Sequence, residues 1–230
     1  MSQQVKSKKR VADHGEVFTN EREVNAMLDM VKQETERIES RFLEPACGDG
    51  NFLAEILRRK LAVVKSRYGK NLSEYEKYAF VAVSSIYGVE LLRDNTEACR
   101  ERLFKIFEKE YLPVCKKKPT PQYIAAIKFV IERNILCGDA LSMLQDDGEP
   151  IIFSEWSLLM GDKVKRRDYR LDEMLEGNVE KGKTMSLFGA SGTPTTEWEY
   201  DPETNSMIPS PIYEYAVASL YEVMNNVEPI

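Results

Sequence analysis

The feature that most constrains the fold lies in residues 41–57, where a short apolar segment leads directly into a loop with two glycines. Arg41–Pro45 is predicted to be a strand, and Gly48 and Gly50 allow a sharp turn close to a ligand. The helix predicted from Asn51 to about Arg67 presents free N–H groups to a carboxylate or phosphate. This order is typical of a ligand loop at the carboxyl end of the first strand of a parallel sheet. The alternative is a glycine turn with only a structural role.

Strands and helices alternate along the chain that follows. Further strands are predicted at Ser85–Glu90, Asn134–Cys137 and Ile151–Trp156. Helices are predicted at about Glu21–Ile38, Ser73–Ser84, Arg93–Lys116 and Pro121–Ile131. This alternation predicts an α/β fold with a mostly parallel sheet flanked by helices.

The chain divides into four segments by composition. Residues 1–13 are predicted to be a basic tail, and residues 14–175 the domain that carries the strands. Residues 176–210 are rich in Gly, Ser, Thr, Pro and Glu and are predicted to be a flexible loop or disordered. Residues 211–230 are predicted to form a C-terminal helix, from Pro211 to about Asn225, that packs on the same domain.

Composition excludes several classes of protein. A chain of 230 residues with 43% hydrophobic and 30% charged residues is typical of a globular protein. No apolar run approaches the ~20 residues of a membrane span, so no membrane partner is expected. Cys47, Cys99, Cys115 and Cys137 are too scattered, with the single His14, to predict a metal site. They are interpreted as reduced thiols of a cytoplasmic protein.

The charge balance excludes a strong overall attraction to nucleic acid. Lys and Arg number 32 against 38 Asp and Glu, which gives a net charge of −6. The basic stretches Lys6–Arg10, Lys116–Lys118 and Lys163–Arg167 are either solvated surface or salt-sensitive contacts to phosphates. Any binding of DNA by the chain alone is therefore expected to be weak.

Acidic residues stand at the ends of the first three predicted strands. Glu90 is placed to accept two hydrogen bonds from ribose hydroxyls. Asp139 can accept a hydrogen bond from an adenine amino group, while Ala140 offers a backbone N–H to a ring nitrogen. Taken singly, Glu90 could be a solvated loop residue and Asp139 a helix cap. Together with Glu44 they favour a nucleoside site.

At this point the sequence resembles a known family. Glu44-Pro45-Ala46-Cys47-Gly48-Asp49-Gly50 is similar to the D/E-P-A-C-G-S-G loop of S-adenosylmethionine-dependent DNA methyltransferases of the adenine-N6 type, found in restriction–modification systems. His14–Thr19 resembles the family's upstream G-x-x-[FY]-T-P segment, with Asn20 in place of proline. The resemblance covers residues 14 to about 157 and implies a Rossmann-like class I methyltransferase fold.

The resemblance also implies a set of residues that bind S-adenosylmethionine. They are Phe18, Thr19, Glu44, Pro45, Ala46, Cys47, Gly48, Asp49, Gly50, Asn51, Phe52, Glu90, Leu91, Asp139 and Ala140. The chain has no room for the target-recognition domain of such enzymes, so a partner subunit that supplies recognition is expected.

The family's catalytic motif, [N/D/S]-P-P-[Y/F/W], is missing, because the chain contains no Pro-Pro pair. Two weak substitutes are Ser154-Glu155-Trp156 and Ser210-Pro211-Ile212-Tyr213. They make Ser154, Trp156 and Tyr213 the catalytic candidates, since an aromatic ring could stack on a flipped base. The alternative is that Trp156 packs in a core and Tyr213 on the buried face of the last helix.

Two functions are therefore carried forward. The first is an S-adenosylmethionine-dependent adenine-N6 DNA methyltransferase. The second is a catalytically inactive subunit or remnant that binds the same cofactor. A nucleotide-dependent oxidoreductase is disfavoured, because the loop after the first strand lacks the G-x-G-x-x-G pattern.

Overall fold

The computed structural model describes residues 6–176, 198–201 and 206–230. Its helices are α1 Lys8–His14, α2 Glu21–Asp29, α3 Lys32–Thr35, α4 Asn51–Tyr68, α5 Leu72–Ser84, α6 Arg93–Val114, α7 Pro121–Asn134 and α8 Leu171–Glu176, with a 3-10 turn at Val223–Asn225. Its strands are β1 Phe42–Glu44, β2 Ile86–Glu90, β3 Ile135–Asp139, β4 Leu144–Gln145, β5 Ile152–Leu158, β6 Lys163–Arg170, β7 Trp198–Asp201, β8 Ser206–Pro209, β9 Tyr213–Glu214 and β10 Ala218–Ser219. Within these ranges no helix is long and apolar enough to cross a membrane.

The first sheet contains three of the four strands that the sequence placed in parallel. Its order is β1-β2-β3-β4. The pairs β1–β2 and β2–β3 are parallel, whereas β4 returns antiparallel to β3. The sheet is therefore mixed and flanked by helices, and the α/β class predicted from the sequence is confirmed.

Both crossover connections pack on one face of this sheet. The connection from β1 to β2 contains α4 and α5, and that from β2 to β3 contains α6 and α7. In α4 the apolar residues recur every four positions, so Leu53, Leu57 and Leu61 form one stripe that is entirely buried. This stripe joins the main core, where α4 packs against α5 and α6.

The opposite face of the sheet carries a smaller core. Side chains alternate along a strand, so Tyr87 and Val89 point away from the helices that cover Ile86. They pack with Leu136 of β3 and with Phe153 of β5, whose ring lies 5.4 Å from that of Tyr87. The start of β5 thus covers the face that the helices leave open.

The prediction that the segment Ile151–Trp156 is a fourth strand is correct, but its place in a parallel sheet is wrong. β5 pairs antiparallel with β6 along its whole length, and β9 and β10 extend this second sheet. The reason is local, because Gly161 adopts a positive φ of 78° in the turn that reverses the chain. A neighbouring strand is then the nearest partner.

The N-terminal residues 1–13, predicted to be a basic tail, contain most of a helix. Residues 1–5 lie outside the described residues, but Lys8–His14 forms α1, with Ser7 accepting a hydrogen bond from the Arg10 N–H as its cap. Lys6 and Arg10 both pair with Asp94 at the start of α6. The helix predicted for residues 21–38 is instead divided into α2 and α3.

The predicted C-terminal helix is wrong. The segment after Pro211 forms β9, β10 and the 3-10 turn, because the edge of β6 offers hydrogen bonds that a helix would leave unmade. Leu220 and Val223 are buried in the main core, so this segment does pack on the same unit. Most of residues 176–210 lie outside the described residues, although β7 and β8 form a hairpin in what was predicted to be irregular.

Candidate functional site

The three predicted acids are the last residues of three adjacent parallel strands. Glu44 ends β1, Glu90 ends β2 and Asp139 ends β3. Glu44 is paired with Gly88, so Glu90 lies two residues, about 7 Å, further along the strand direction than Glu44. Glu90 is paired with Cys137, so Asp139 lies two residues further along than Glu90. Because paired residues share a face and residues two apart share a face, all three carboxylates lie on the helix-covered side. The structure therefore brings them to one edge as a stepped row.

The loop after β1 takes a shape that requires glycine at two positions. Gly48 and Gly50 have φ values of +56° and +87°. A Cβ on Gly50 would lie 2.6 Å from the Cys99 sulfur, and one on Gly48 would lie 3.0 Å from the Phe18 ring. The turn closes with a 2.8 Å hydrogen bond from the Gly50 N–H to the Cys47 carbonyl. Side chains are thus excluded at the two glycines of this turn. We call the space between this turn and the three acids the crevice.

Glu90 connects this loop to the end of β2. Its Oε2 accepts a hydrogen bond from the Gly48 N–H at 2.9 Å. Its Oε1 accepts hydrogen bonds from the Leu92 N–H at 3.0 Å and from Asn95 Nδ2 at 3.1 Å. The residue is only 8% exposed, so the acid and its donors form one compact cluster.

Asp139 is less enclosed than Glu90. Its Oδ1 accepts a hydrogen bond from the Leu141 N–H at 2.9 Å, which shapes the turn after β3. Its Oδ2 has no hydrogen bond in the part of the chain that the structure describes. Leu141 is 92% exposed and Leu91 54%, so two apolar side chains border the acids at the rim. Sequence reasoning missed Leu141, although an isolated leucine two residues after a strand-end acid was a usable signal.

Glu44 and Asp49 have different surroundings. Burial raises the pKa of Glu44, against the opposing effect of the Ala46 backbone N–H. Asp49 is paired with Arg102 of α6 at 2.9 Å, and Arg102 also donates to Asn51 Oδ1 at 2.6 Å. Arg102 was not predicted, because nothing in the local pattern of a long helix marks it. Asp49 therefore serves to hold the loop, whereas Glu44 has no ion pair among the described residues.

The N-terminal segment lies over the loop. The Phe18 ring borders Gly48, and the Thr19 carbonyl accepts a hydrogen bond from Asn51 Nδ2 at 3.0 Å. Pro45 and Ala46 are exposed, whereas Phe52 packs against the main core. The predicted cofactor residues are thus close in space, but Phe52 points into the protein.

The Cys47 thiol is not a nucleophile in this environment. Contact with the Cys99 thiol and burial both raise the pKa of Cys47, so it remains protonated near neutral pH. Both cysteines are free. Their role is to fill the space between the loop and α6.

The catalytic candidates Ser154 and Trp156 lie away from the crevice, and the structure does not support a catalytic role for them. Trp156 is buried and donates from Nε1 to Asn134 Oδ1 at 3.1 Å, just before β3 begins. Ser154 is buried and donates to Asp168 Oδ1 at 2.7 Å. Both belong to β5, whose Glu155 and Trp156 contact Arg41 and Asn134 at the amino ends of β1 and β3, whereas the acids are at the carboxyl ends. The core interpretation of Trp156 is therefore the correct one.

Tyr213, the third candidate, is half exposed on β9. It is paired with Asp168 in β6. Its predicted position on a buried helical face is wrong, because no helix forms there.

The basic stretch Lys163–Arg167 does not form a phosphate-binding surface. It is the first part of β6, and Lys165, Arg166 and Arg167 are buried. Lys165 and Arg167 both pair with Glu214, at 3.2 and 3.1 Å. These cations are neutralised within the protein and are not presented to DNA.

Two other features of the molecule bear on the choice of site. Among the described residues no group of His, Cys, Asp and Glu side chains could hold a metal ion. A cleft of about 760 Å³ lies between the residues that precede β1 and β2 and the end of β5. It contains none of the predicted cofactor residues, so we place the candidate site on the converging acids rather than in this cleft.

Comparison of the chain with models of known protein families, with curated proteins and with solved structures finds no match. The functional conclusion therefore depends on the residues and geometry given above.

Proposed function

We propose that this chain binds S-adenosylmethionine at the carboxyl ends of β1, β2 and β3, as a domain of the Rossmann-like methyltransferase class. One observation carries the proposal: the hydrogen bond from the Gly48 N–H to Glu90, beside the stepped row of acids. This hydrogen bond joins the glycine turn before α4 to Glu90 at the end of β2, next to the N-terminus of α4. Together these groups match a nucleoside with a charged tail.

The residues present fit the parts of this cofactor. Glu90 would accept from the ribose hydroxyls, and the unbonded Oδ2 of Asp139 from the adenine amino group. The exposed Leu91 and Leu141 would cover the faces of the ring. Thr19 and the start of α4 would hold the methionine end, and Glu44 would balance its positive charge. The cofactor, when bound, supplies an electrophilic methyl group.

The sequence resemblance extends the proposal to DNA methylation of the adenine-N6 type, as in restriction–modification. A specific observation favours the second candidate, a subunit that binds the cofactor without completing the reaction alone. Ser154 and Trp156 are buried, and the sequence contains no Pro-Pro pair. We therefore propose that a partner chain supplies the groups that hold the target adenine and recognise the DNA sequence.

Calorimetric titration with S-adenosylmethionine tests the binding site. Gly48→Val is expected to abolish binding, because a branched side chain at φ +56° would collide with Phe18 and displace the loop. Gly148→Val is the matched control, since Gly148 also has a positive φ, +89°, but has open space around its Cβ position. Thermal unfolding of both variants checks that they are folded.

Asp139→Ala gives a second measurement at the same site. Loss of the acceptor for the adenine amino group is expected to weaken binding by about 10- to 100-fold. Asp139→Asn, which keeps an oxygen acceptor, should lose less. Unchanged affinity in both Gly48→Val and Asp139→Ala would overturn the proposed site.

A further inference from the structure

We propose that α1 gates the nucleoside crevice and is held shut by an ionic latch on the first turn of α6. The latch consists of Lys6, Arg10, Glu16 and Asp94. This inference depends on the proposed function, because it assigns a gate to the site proposed there.

The latch joins both ends of α1 to α6. Arg10 donates to both carboxylate oxygens of Glu16 at 2.7 Å, and to both oxygens of Asp94 at 2.8 and 3.0 Å. Lys6 adds a contact to Asp94 at 3.1 Å and lies 5.8 Å from the centre of the Phe18 ring. One arginine thus holds an acid from its own segment and an acid from α6 in paired contacts, which is the geometry that arginine favours.

Asn95 connects the latch to the crevice. Its Nδ2 donates to Glu16 Oε1 at 2.7 Å and to Glu90 Oε1 at 3.1 Å. A single amide group therefore bridges the latch and the acid assigned to the ribose. Lys6 donates to Asn95 Oδ1 at 2.5 Å, so the orientation of Asn95 cannot change without breaking its contacts with Glu16 and Lys6.

Glu90 cannot accept a ribose diol in this arrangement. A carboxylate has about four acceptor positions. Three of them are used by Gly48, Leu92 and Asn95, so one donor must leave before two hydroxyls can bind. The N–H groups of Gly48 and Leu92 belong to the backbone, whereas Asn95 donates through a buried side chain that the latch residues Glu16 and Lys6 also hold. We therefore assign Asn95 as the donor that leaves, and release of Glu16 and Lys6 as the step that permits it.

Release of the latch depends on ionic strength. The Asp94 side chain is 53% exposed, and those of Lys6 and Arg10 are partly exposed, so dissolved salt screens the two pairs of Asp94. The Arg10–Glu16 pair is screened less, because the Glu16 side chain is only 7% exposed. Hydrogen bonds from Arg10 hold the pKa of Asp94 at about 2, so the carboxylate stays charged near neutral pH. Salt rather than pH is thus the variable that opens the latch.

The experiment measures the association rate of S-adenosylmethionine with the full chain by surface plasmon resonance. Arg10→Gln should raise the association rate constant by about threefold or more, since exposed pairs of this kind contribute such factors. Lys9→Gln is the matched control, because Lys9 is an exposed lysine of α1 outside the latch. Hydrogen exchange of the amides of residues 8–15 is measured in parallel and should be faster in Arg10→Gln only.

Salt and a second substitution complete the design. Raising NaCl from about 0.05 to about 0.5 M should increase the association rate constant of the wild type. The same change should increase that of Arg10→Gln by a smaller factor, because this variant lacks the latch. Asp94→Asn should reproduce Arg10→Gln, and the double variant should add nothing further, because both substitutions open the same contact.

The outcomes separate the two proposals. If the wild type binds and Arg10→Gln associates no faster than Lys9→Gln, the gate is refuted and the site stands. Faster exchange of α1 without faster association also refutes the gate, since α1 would then move independently of the crevice. If the wild type binds no S-adenosylmethionine, the proposed function fails, and the gate with it.

Discussion

Lys60 is a single residue whose environment alters the energetics of the fold. It is completely buried in α4, and its ammonium donates to the Ile38 carbonyl at 3.1 Å, to Ser85 Oγ at 2.5 Å and to the Ser40 carbonyl. Burial lowers the pKa of Lys60 to about 7, and the carboxylates of Glu39 and Glu34 act in the opposite direction. The hydrogen bonds of Lys60 thus stabilise the turn before β1, although its amino group is removed from water.

The first prediction concerns the pH dependence of stability. The folded pKa of about 7 lies below the unfolded value, so between pH 7 and about 10 the unfolded chain binds more protons than the folded chain. The free energy of unfolding that Lys60 contributes therefore rises with pH across this window. Urea unfolding at several pH values should show wild type gaining stability relative to Lys60→Met as the pH increases. Parallel curves for the two proteins would contradict this assignment.

At the scale of an element, β6 shows how a charged strand can be internal. Arg166 lies in a cage of aromatic rings from Phe129, Trp156 and Tyr215, the last at 3.9 Å. Its Nε and Nη2 donate to Asp168 at 2.9 and 2.6 Å. Nη1 has no hydrogen-bond partner among the described residues. The pair is held between the second sheet and the end of α7, where water does not reach it.

We expect Asp168→Asn to destabilise the protein by about 3–5 kcal/mol, because it leaves the buried Arg166 without a countercharge. Lys163→Gln, at the exposed start of the same strand, should change the free energy of unfolding by less than about 0.5 kcal/mol. Urea denaturation of both variants measures the difference. A loss below about 1 kcal/mol for Asp168→Asn would mean that the pair is more hydrated than its burial indicates.

At the scale of the whole molecule, the two ends of the parallel strands have separate roles. The carboxyl ends carry the candidate crevice. The amino ends are covered by β5, through the pairs Arg41–Glu155 at 2.5 Å and Trp156–Asn134 at 3.1 Å. The C-terminal segment closes the structure, since Tyr221 donates to Glu76 of α5 at 2.6 Å. Ser154 and Trp156, proposed from the sequence to be catalytic, are therefore used in assembly.

This division predicts that the isolated chain transfers no methyl group. Incubation with labelled S-adenosylmethionine and DNA of mixed sequence should incorporate no label above background, because the buried Ser154 and Trp156 cannot hold a flipped base. A complete adenine-N6 DNA methyltransferase serves as the positive control. Strong labelling by the isolated chain, lost in Gly48→Val and kept in Gly148→Val, would show that it carries its own catalytic groups.

The parts that could be predicted from the sequence are those whose determinants are close together in the chain. The stripe of Leu53, Leu57 and Leu61 was sufficient for α4, and the glycines after β1 were sufficient for the turn. The C-terminal segment has a helical spacing of apolar residues as well, yet it pairs with β6. An unfilled strand edge elsewhere in the molecule decided its structure, and no local pattern reports such an edge.

What the sequence determined by itself is the order of strands and helices from β1 to β3 and the three acids that end these strands, because strand length and the following turn are local properties. Only the tertiary structure decided how these groups are used. Glu90 is already bonded to Gly48, Leu92 and Asn95, and the cations of β6 are buried, because residues far apart in sequence share one low-dielectric interior. Charge spacing in a sequence indicates which groups can interact, whereas burial determines whether they face a ligand, the solvent or each other.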